Sequence, residues 1–465
     1  MRFGGVLGLV GWVSSLACAL LAGDALWAAD SAAQLAPATR PNIVLILSDD
    51  QAWTDYGFMH HPHIRTPNLD RLAASSAVFP RGHVPTALCR PSLATLVTGR
   101  YAHQHLITGN DPSPMLADPG SARYAELRHR LIEKLDRWDT LPKVLTRLGY
   151  RSFQSGKWWE GSYQRGGFSH GMTRGFPEPN GRHGDAGLVI GREGISPILQ
   201  FIDQAIDDQK PFFVWYAPFL PHTPHNPPED LLRRYRSEVP STHVAKYFAM
   251  CEWFDTTCGA LLDGLQQRGV ADQTIVVYLA DNGWIQDPDS AKFGPRSKQS
   301  PYEGGVRQPI MIRWPNVIRP GSHEPLISSI DIFPTLLSAL GADAPGDLPG
   351  LDLLPMLRDG LPLKRDAIFG EAFAHDVADL DRPEESLLFR WVIEGNWKLI
   401  LTYDGQLGRY AEVHDRSDPR PQLYDLQSDP HERTNLARSQ PQVVAKLAKK
   451  IAGWWDVGER RTVEE

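Results

Sequence analysis

Asn42–Asp50, NIVLILSDD, runs through five successive apolar residues and ends on two adjacent carboxylates. An apolar run with no polar alternation is the pattern of a strand buried on both faces of a parallel sheet. Comparable runs recur at Phe212–Ala217 and Thr274–Leu279. Helix-like stretches separate them: Thr140–Leu148, Pro197–Asp207 and a long segment from His243. Strands alternating with helices predict an α/β fold with a mainly parallel sheet flanked by helices. In open sheets of this kind ligands gather at the carboxyl ends of the strands. Asp49 and Asp50 follow the first run, His222 follows the second, and Asp281 and Asn282 follow the third. Three strand exits therefore put polar groups on one face.

The pattern changes beyond about Ala344, where Pro-, Gly- and Leu-rich turns lead to short strand candidates at Leu388–Ile393, Trp397–Thr402 and Gln422–Asp425. Val443–Trp455 reads as an amphipathic helix with Val444, Leu447, Ile451 and Trp454 on one stripe. The expected division is a catalytic domain over 40–370 and a smaller C-terminal α+β domain, an antiparallel sheet plus a helix, over 371–465. Upstream, Arg2, the apolar run Val6–Leu21 and small residues near Ala28 read as a secretory signal peptide over 1–29. The mature chain is then expected to be secreted or periplasmic. No later run of 18 apolar residues exists, so no membrane contact is expected after signal cleavage.

A net charge of −7 across 465 residues gives no basic footprint and argues against a nucleic-acid partner. Beyond the signal segment three cysteines remain, Cys89, Cys251 and Cys258. Cys251 and Cys258 share a helical pattern, where seven residues put them ~10 Å apart along the axis, too far to bridge. Cys89 has no such packing explanation.

Six stretches carry candidate chemistry. Adjacent aspartates repel unless a cation lies between them, and their oxygens suit a hard ion; they are also ordinary helix-capping residues. Leu88–Arg100 reads LCRPSLATLVTGR, 156–159 reads GKWW, and 221–224 reads PHTP. Asp281-Asn282-Gly283 alone is a turn signal, and Lys298 precedes Tyr302-Glu303-Gly304-Gly305 by four residues.

Taken together and in this order, these clusters resemble the formylglycine-dependent type I sulfatases of the alkaline phosphatase superfamily. The likeness covers nearly the whole mature chain and extends to Leu423-Tyr424-Asp425-Leu426 near its end. It implies an alkaline-phosphatase-like α/β fold and conversion of Cys89 to formylglycine by a formylglycine-generating enzyme. The hydrated aldehyde would attack the sulfur of a sulfate ester, and its second hydroxyl would later expel sulfate. The resemblance implies Lys157 and Lys298 as sulfate contacts and His222 as the acid for the leaving oxygen. It further implies Asp49, Asp50, Cys89, Asp281 and Asn282 around one Ca²⁺, with Mg²⁺ as the other candidate. The substrate implied is a sulfated small molecule, a sulfated carbohydrate foremost.

Two positions depart from the family pattern. Leu93 stands where the family has arginine, and Trp159 where it has histidine. Arg90, Arg100, His103 and His105 are the nearby candidates to compensate for the first, and His170 for the second. These departures keep two other readings open: a phosphatase, phosphodiesterase or phosphonate hydrolase on the same scaffold, and a sulfatase-like binding protein with impaired turnover. The segments 111–138 and 162–183 are expected to shape the substrate rim.

Overall fold

In the computed structural model of the chain, residues 1, 40–404 and 418–463 are described. The expected signal segment lies outside the described residues. The apolar runs become the middle of an eight-stranded sheet. In spatial order its strands are Gly321–Ser322, Ala77–Phe79, Ile310–Arg313, Thr274–Ala280, Asn42–Ser48, Phe212–Ala217, Arg151–Gly156 and His170–Gly171. Asn42–Ser48 lies between Phe212–Ala217 and Thr274–Ala280, parallel to both, with Ile43 opposite Phe213 and Ile275. Arg151–Gly156 extends the parallel block, and Ile310–Arg313 turns antiparallel to Thr274–Ala280.

Burial explains the composition of these strands. Ile43–Leu47 and Phe212–Tyr216 are all at most 1% exposed. One face packs Leu45, Trp215 and Val277 against Leu93, Val97, Leu141 and Leu145. The other packs Val44, Val214 and Val276 against Ile198, Ile202, Phe254 and Leu261 of helices Ser196–Asp207 and Thr242–Gln267. Two covered faces leave no place for alternation. Cys251 and Cys258 are buried and unbridged in the long helix, as spacing required.

A smaller antiparallel sheet, in the order Ile368–Phe373, Leu387–Glu394, Trp397–Thr402 and Gln422–Asp425, carries helix Pro441–Trp454 on one side. Of the expected stripe on that helix, Leu447 and Ile451 are buried, whereas Val444 and Trp454 are only partly covered. The described residues from Pro41 onward form one compact unit. Among the described residues no helix is long and apolar enough to cross a membrane.

Candidate active site

Four neighbouring parallel strands each deliver a residue to the same edge of the sheet. Asn42–Ser48 ends on Asp49 and Asp50, Thr274–Ala280 on Asp281 and Asn282, and Arg151–Gly156 on Lys157, while Phe212–Ala217 leads to His222. The ladder continues past the strand ends: Asp281 N donates to Ser48 O at 2.9 Å, Asp49 N to Leu220 O at 3.0 Å and Lys157 N to Ala217 O at 2.7 Å. The last bond requires glycine before Lys157, because Gly156 has φ +79° and a Cβ there would meet Ala217 O at 1.8 Å. Asp50 takes the left-handed region at φ 67°, which aspartate tolerates.

Cys89 enters from another element, the first residue of helix Cys89–Thr98. One ligand atom each from Asp49, Asp50, Cys89 and His222 lies within 4.8 Å of all the others. Lys157 Nζ donates to Asp49 Oδ1 at 2.5 Å and lies 4.0 Å from Asp281 Oδ2. Lys298 Nζ donates to both oxygens of Asp50, at 2.6 and 2.7 Å. Asn282 Nδ2 donates to Asp50 Oδ1 at 2.6 Å, and Asp50 N donates to Asp281 Oδ1 at 3.1 Å. All eight residues singled out from sequence thus fall in one cluster.

Its electrostatics are unbalanced. Three carboxylates face two ammonium groups, all at most 6% exposed. Burial, then crowding by Asp281 and Asp50, raises the Asp49 carboxyl well above its usual range despite Lys157. Burial also raises Asp281. For Asp50, burial is outweighed by Lys298, His222 and Lys157, and its carboxyl is held low. Both lysines are held above their usual value, the carboxylates overcoming burial. Burial pushes the Cys89 thiol up to about 12, so the unmodified side chain stays protonated and is a poor nucleophile.

This arrangement fits a hard divalent cation. Asp49 Oδ2, Asp281 Oδ2 and Asn282 Oδ1 are buried oxygens with no hydrogen-bond partner, and buried acceptors seldom go unpaired. His222 Nδ1 lies 2.6 Å from Thr223 O, so it carries the proton and donates. In the neutral ring Nε2 is then a second lone pair, 3.4 Å from Asp50 Oδ2. Burial and Lys157 push this imidazole well below its usual pKa, against the pull of Asp50.

The cluster floors a cavity of about 320 Å³. Trp159, Trp284 and Phe293 supply apolar walls, and Arg182, His183 and Lys292 supply cationic or hydrogen-bonding groups. His375 reaches in from the smaller sheet, and its Nε2 meets Asn110 Nδ2 at 3.2 Å. Arg182 and His183 fall in the expected rim segment 162–183; Trp284, Phe293 and His375 fall outside both expected segments and were missed by sequence reasoning.

None of the expected compensators does what the sequence suggested. Arg90 is clamped by Glu160 in two 2.7 Å bonds. Arg100 pairs with Asp347 and stacks on Trp138. His103 pairs with Glu371, and the buried His105 meets Thr95. His170 sits on the far edge strand, bonded to Arg151 and Ser169. Leu93 is 4% exposed in the apolar cluster that also holds Trp158 and Trp159. Trp159 lines the cavity with an apolar ring, whereas Leu93 packs in the core and is not among the residues that line it.

Residues 41–342 match the family model Sulfatase, and 292–454 match the model N-sulphoglucosamine sulphohydrolase, C-terminal. The first match alone spans more than half of the sequence, and the chain belongs to the sulfatase family, enzymes that hydrolyse sulfate esters. It is 28% identical to arylsulfatase A of Bos taurus, over 92% of this chain and 90% of that one. It is 30% identical to N-acetylgalactosamine-6-sulfatase of Mus musculus, over 85% and 82%. Its fold is that of the crystal structure of Ps i-CgsB, with a TM-score of 0.70 at 23% identity, covering 90% of this chain and 94% of the other.

Proposed function

We propose that this sulfatase removes sulfate from a sulfated carbohydrate, with Cys89 matured to formylglycine and one Ca²⁺ or Mg²⁺ beside it. The observation that carries this reading is the convergence of Asp49, Asp50, Cys89 and His222 within 4.8 Å beneath a cavity lined by tryptophans. Asp49, Asp50, Asp281 and Asn282 would hold the cation, residue 89 beside them, their oxygen donors favouring a hard ion over a thiophilic one. The cation supplies Lewis-acid polarisation, and the hydrated formylglycine an oxygen nucleophile that a protonated thiol lacks.

Lys157 and Lys298 line both the carboxylate cluster and the cavity, where fixed ammonium groups offset charge on the sulfate oxygens. The Thr223 carbonyl occupies His222 Nδ1, so a proton can be exchanged with the leaving oxygen only at Nε2. Trp159 and Trp284 offer faces for a sugar ring. At about 320 Å³ the cavity lies at the small end of ligand pockets and suits a terminal sugar more than a mid-chain one. The name of the mouse relative, a sulfatase of an amino sugar, agrees with this class. Maturation would call on a formylglycine-generating enzyme, and the signal-like residues 1–29 support an enzyme outside the cytoplasm, secreted or periplasmic.

Assay of the metal-loaded enzyme against matched sulfate, phosphate and phosphonate esters tests the reading. Hydrolysis of a sulfated monosaccharide at least tenfold faster than the matched phosphate is expected. Faster phosphate or phosphonate hydrolysis would shift the assignment to the phosphorus-ester reading, and binding without turnover to the impaired one.

A further inference from the structure

Two ring nitrogens on one wall of the catalytic cavity, Trp159 Nε1 and His183 Nδ1, are buried without a hydrogen-bond partner among the described residues. The two residues come from different loops that the backbone ties together, Trp158 N donating to His183 O at 3.2 Å. The His183 ring lies 5.1 Å from the Trp159 ring and 5.4 Å from Phe219. Phe219 in turn stacks on His222 at 4.3 Å, with Lys157 Nζ 5.4 Å from its centre. One aromatic ring therefore separates His183 from both the lysine and the histidine of the site.

Other histidines of the chain are held at a ring nitrogen, His103 and His375 by carboxylates and His170 by the Ser169 hydroxyl and Arg151. Among the described residues His183 Nδ1 has no such partner. The charged groups that act on it are Lys157, Arg182, Asp111 and Arg128, and Asp111 is engaged by Arg128 and Arg182. Burial, Lys157 and Arg182 push the imidazole down to about 3. A neutral imidazole keeps one N–H donor and one acceptor, and leaving the buried Nδ1 of His183 unpaired is unfavourable. An anion entering the cavity is the partner that this wall lacks.

We propose that His183 is a substrate-contacting residue of this pocket, its neutral imidazole donating a hydrogen bond to an oxygen of the bound sulfate group. It thereby supplies, from a later loop, the histidine that Trp159 displaces from its family position. The inference rests on the sulfatase reading of the cavity. His170, the candidate suggested by sequence, is spent on Arg151 and Ser169 and does not line the cavity.

The test is calorimetric binding of inorganic sulfate to the metal-loaded enzyme, compared among wild type, His183→Phe and His183→Gln, with kcat and KM on a sulfate ester alongside. His183→Phe keeps the aromatic packing against Trp159 and removes the donor. It is expected to weaken sulfate binding about 10- to 100-fold, the effect of losing a hydrogen bond to a charged group, at an unchanged melting temperature. His183→Gln restores an N–H donor and is expected to return binding to within about threefold of wild type. Wild-type affinity in His183→Phe, or a glutamine variant as weak as the phenylalanine one, would overturn the assignment. If wild type itself neither binds sulfate nor hydrolyses any sulfate ester, the reading of the pocket fails first and His183 falls with it.

Discussion

Only four residues lie between Lys298 and Glu303, yet each belongs to a different buried charge cluster, and the two clusters behave oppositely. Around Glu303 the charges close on themselves. Lys398, fully buried, sits 2.9 Å from both Glu303 Oε1 and Glu432 Oε1. His83 Nε2 lies 3.2 Å from Glu303, and Arg307 lies 4.0 Å away. Two carboxylates face two cations there, and the group ties the large sheet's loops to the small sheet. At the strand ends three carboxylates face two lysines, and Asp49, Asp281 and Asn282 each keep an oxygen without a hydrogen-bond partner; in the Glu303 cluster Glu432 Oε1 also lacks a well-formed hydrogen bond but lies 2.9 Å from the Lys398 ammonium. Buried carboxylates and lysines thus make a joint in one place and a candidate cation site in the other. The difference lies in charge balance and in which lone pairs are left over.

The comparison breaks most visibly at Asp50. Asp50→Asn keeps the volume but removes the charge that Lys298 and a cation share. Turnover is expected to fall about 10³-fold, several kcal/mol of transition-state stabilisation, in steady-state assays on a sulfate ester. Melting temperature should move far less. Lys398→Met in the balanced cluster should do the reverse. Stripping one partner from a buried ion group typically costs about 3–5 kcal/mol of stability, read by chemical denaturation, with kcat of the folded fraction nearly unchanged. An equal loss of turnover in both variants would erase the distinction.

A smaller effect separates the clusters by pH. Burial first, then Glu303, raises the Glu432 carboxyl to about 7 although Lys398 opposes them. Its folded pKa exceeds its unfolded one, so the folded state holds an extra proton between about pH 4.5 and 7. The cost of the buried charge is therefore relieved as pH falls through 7 and is fully present above it. Glu432→Gln should flatten the melting temperature between pH 5 and 8 relative to wild type. A steeper profile in the variant would contradict the assigned sign.

Much of this was legible in the chain because burial leaves a compositional mark. Phe212–Ala217, Trp397–Thr402 and Gln422–Asp425 have the bounds expected from pattern, and Thr274–Ala280 extends its run by one residue. Arg151–Gly156 escaped, although it delivers Lys157, because Ser152, Gln154 and Ser155 are buried polar residues rather than apolar ones. Their groups are satisfied locally: Ser155 Oγ donates to Trp215 O at 2.9 Å and Gln154 Nε2 to Gly156 O at 3.0 Å. Periodicity cannot register such a strand. His375 was silent, since a lone histidine in an acidic loop carries no spacing signal, and His183 was legible only as part of the expected rim segment 162–183. The compensators guessed for Leu93 and Trp159 failed because neighbours in sequence were already paired elsewhere in space.

The most direct test of the account is the mass of the peptide containing Cys89, taken from enzyme produced with a formylglycine-generating enzyme and correlated with its specific activity. The account predicts an aldehyde or its hydrate at residue 89, with sulfate-ester turnover rising in proportion to the converted fraction. A fully active preparation in which Cys89 remains a thiol would contradict it.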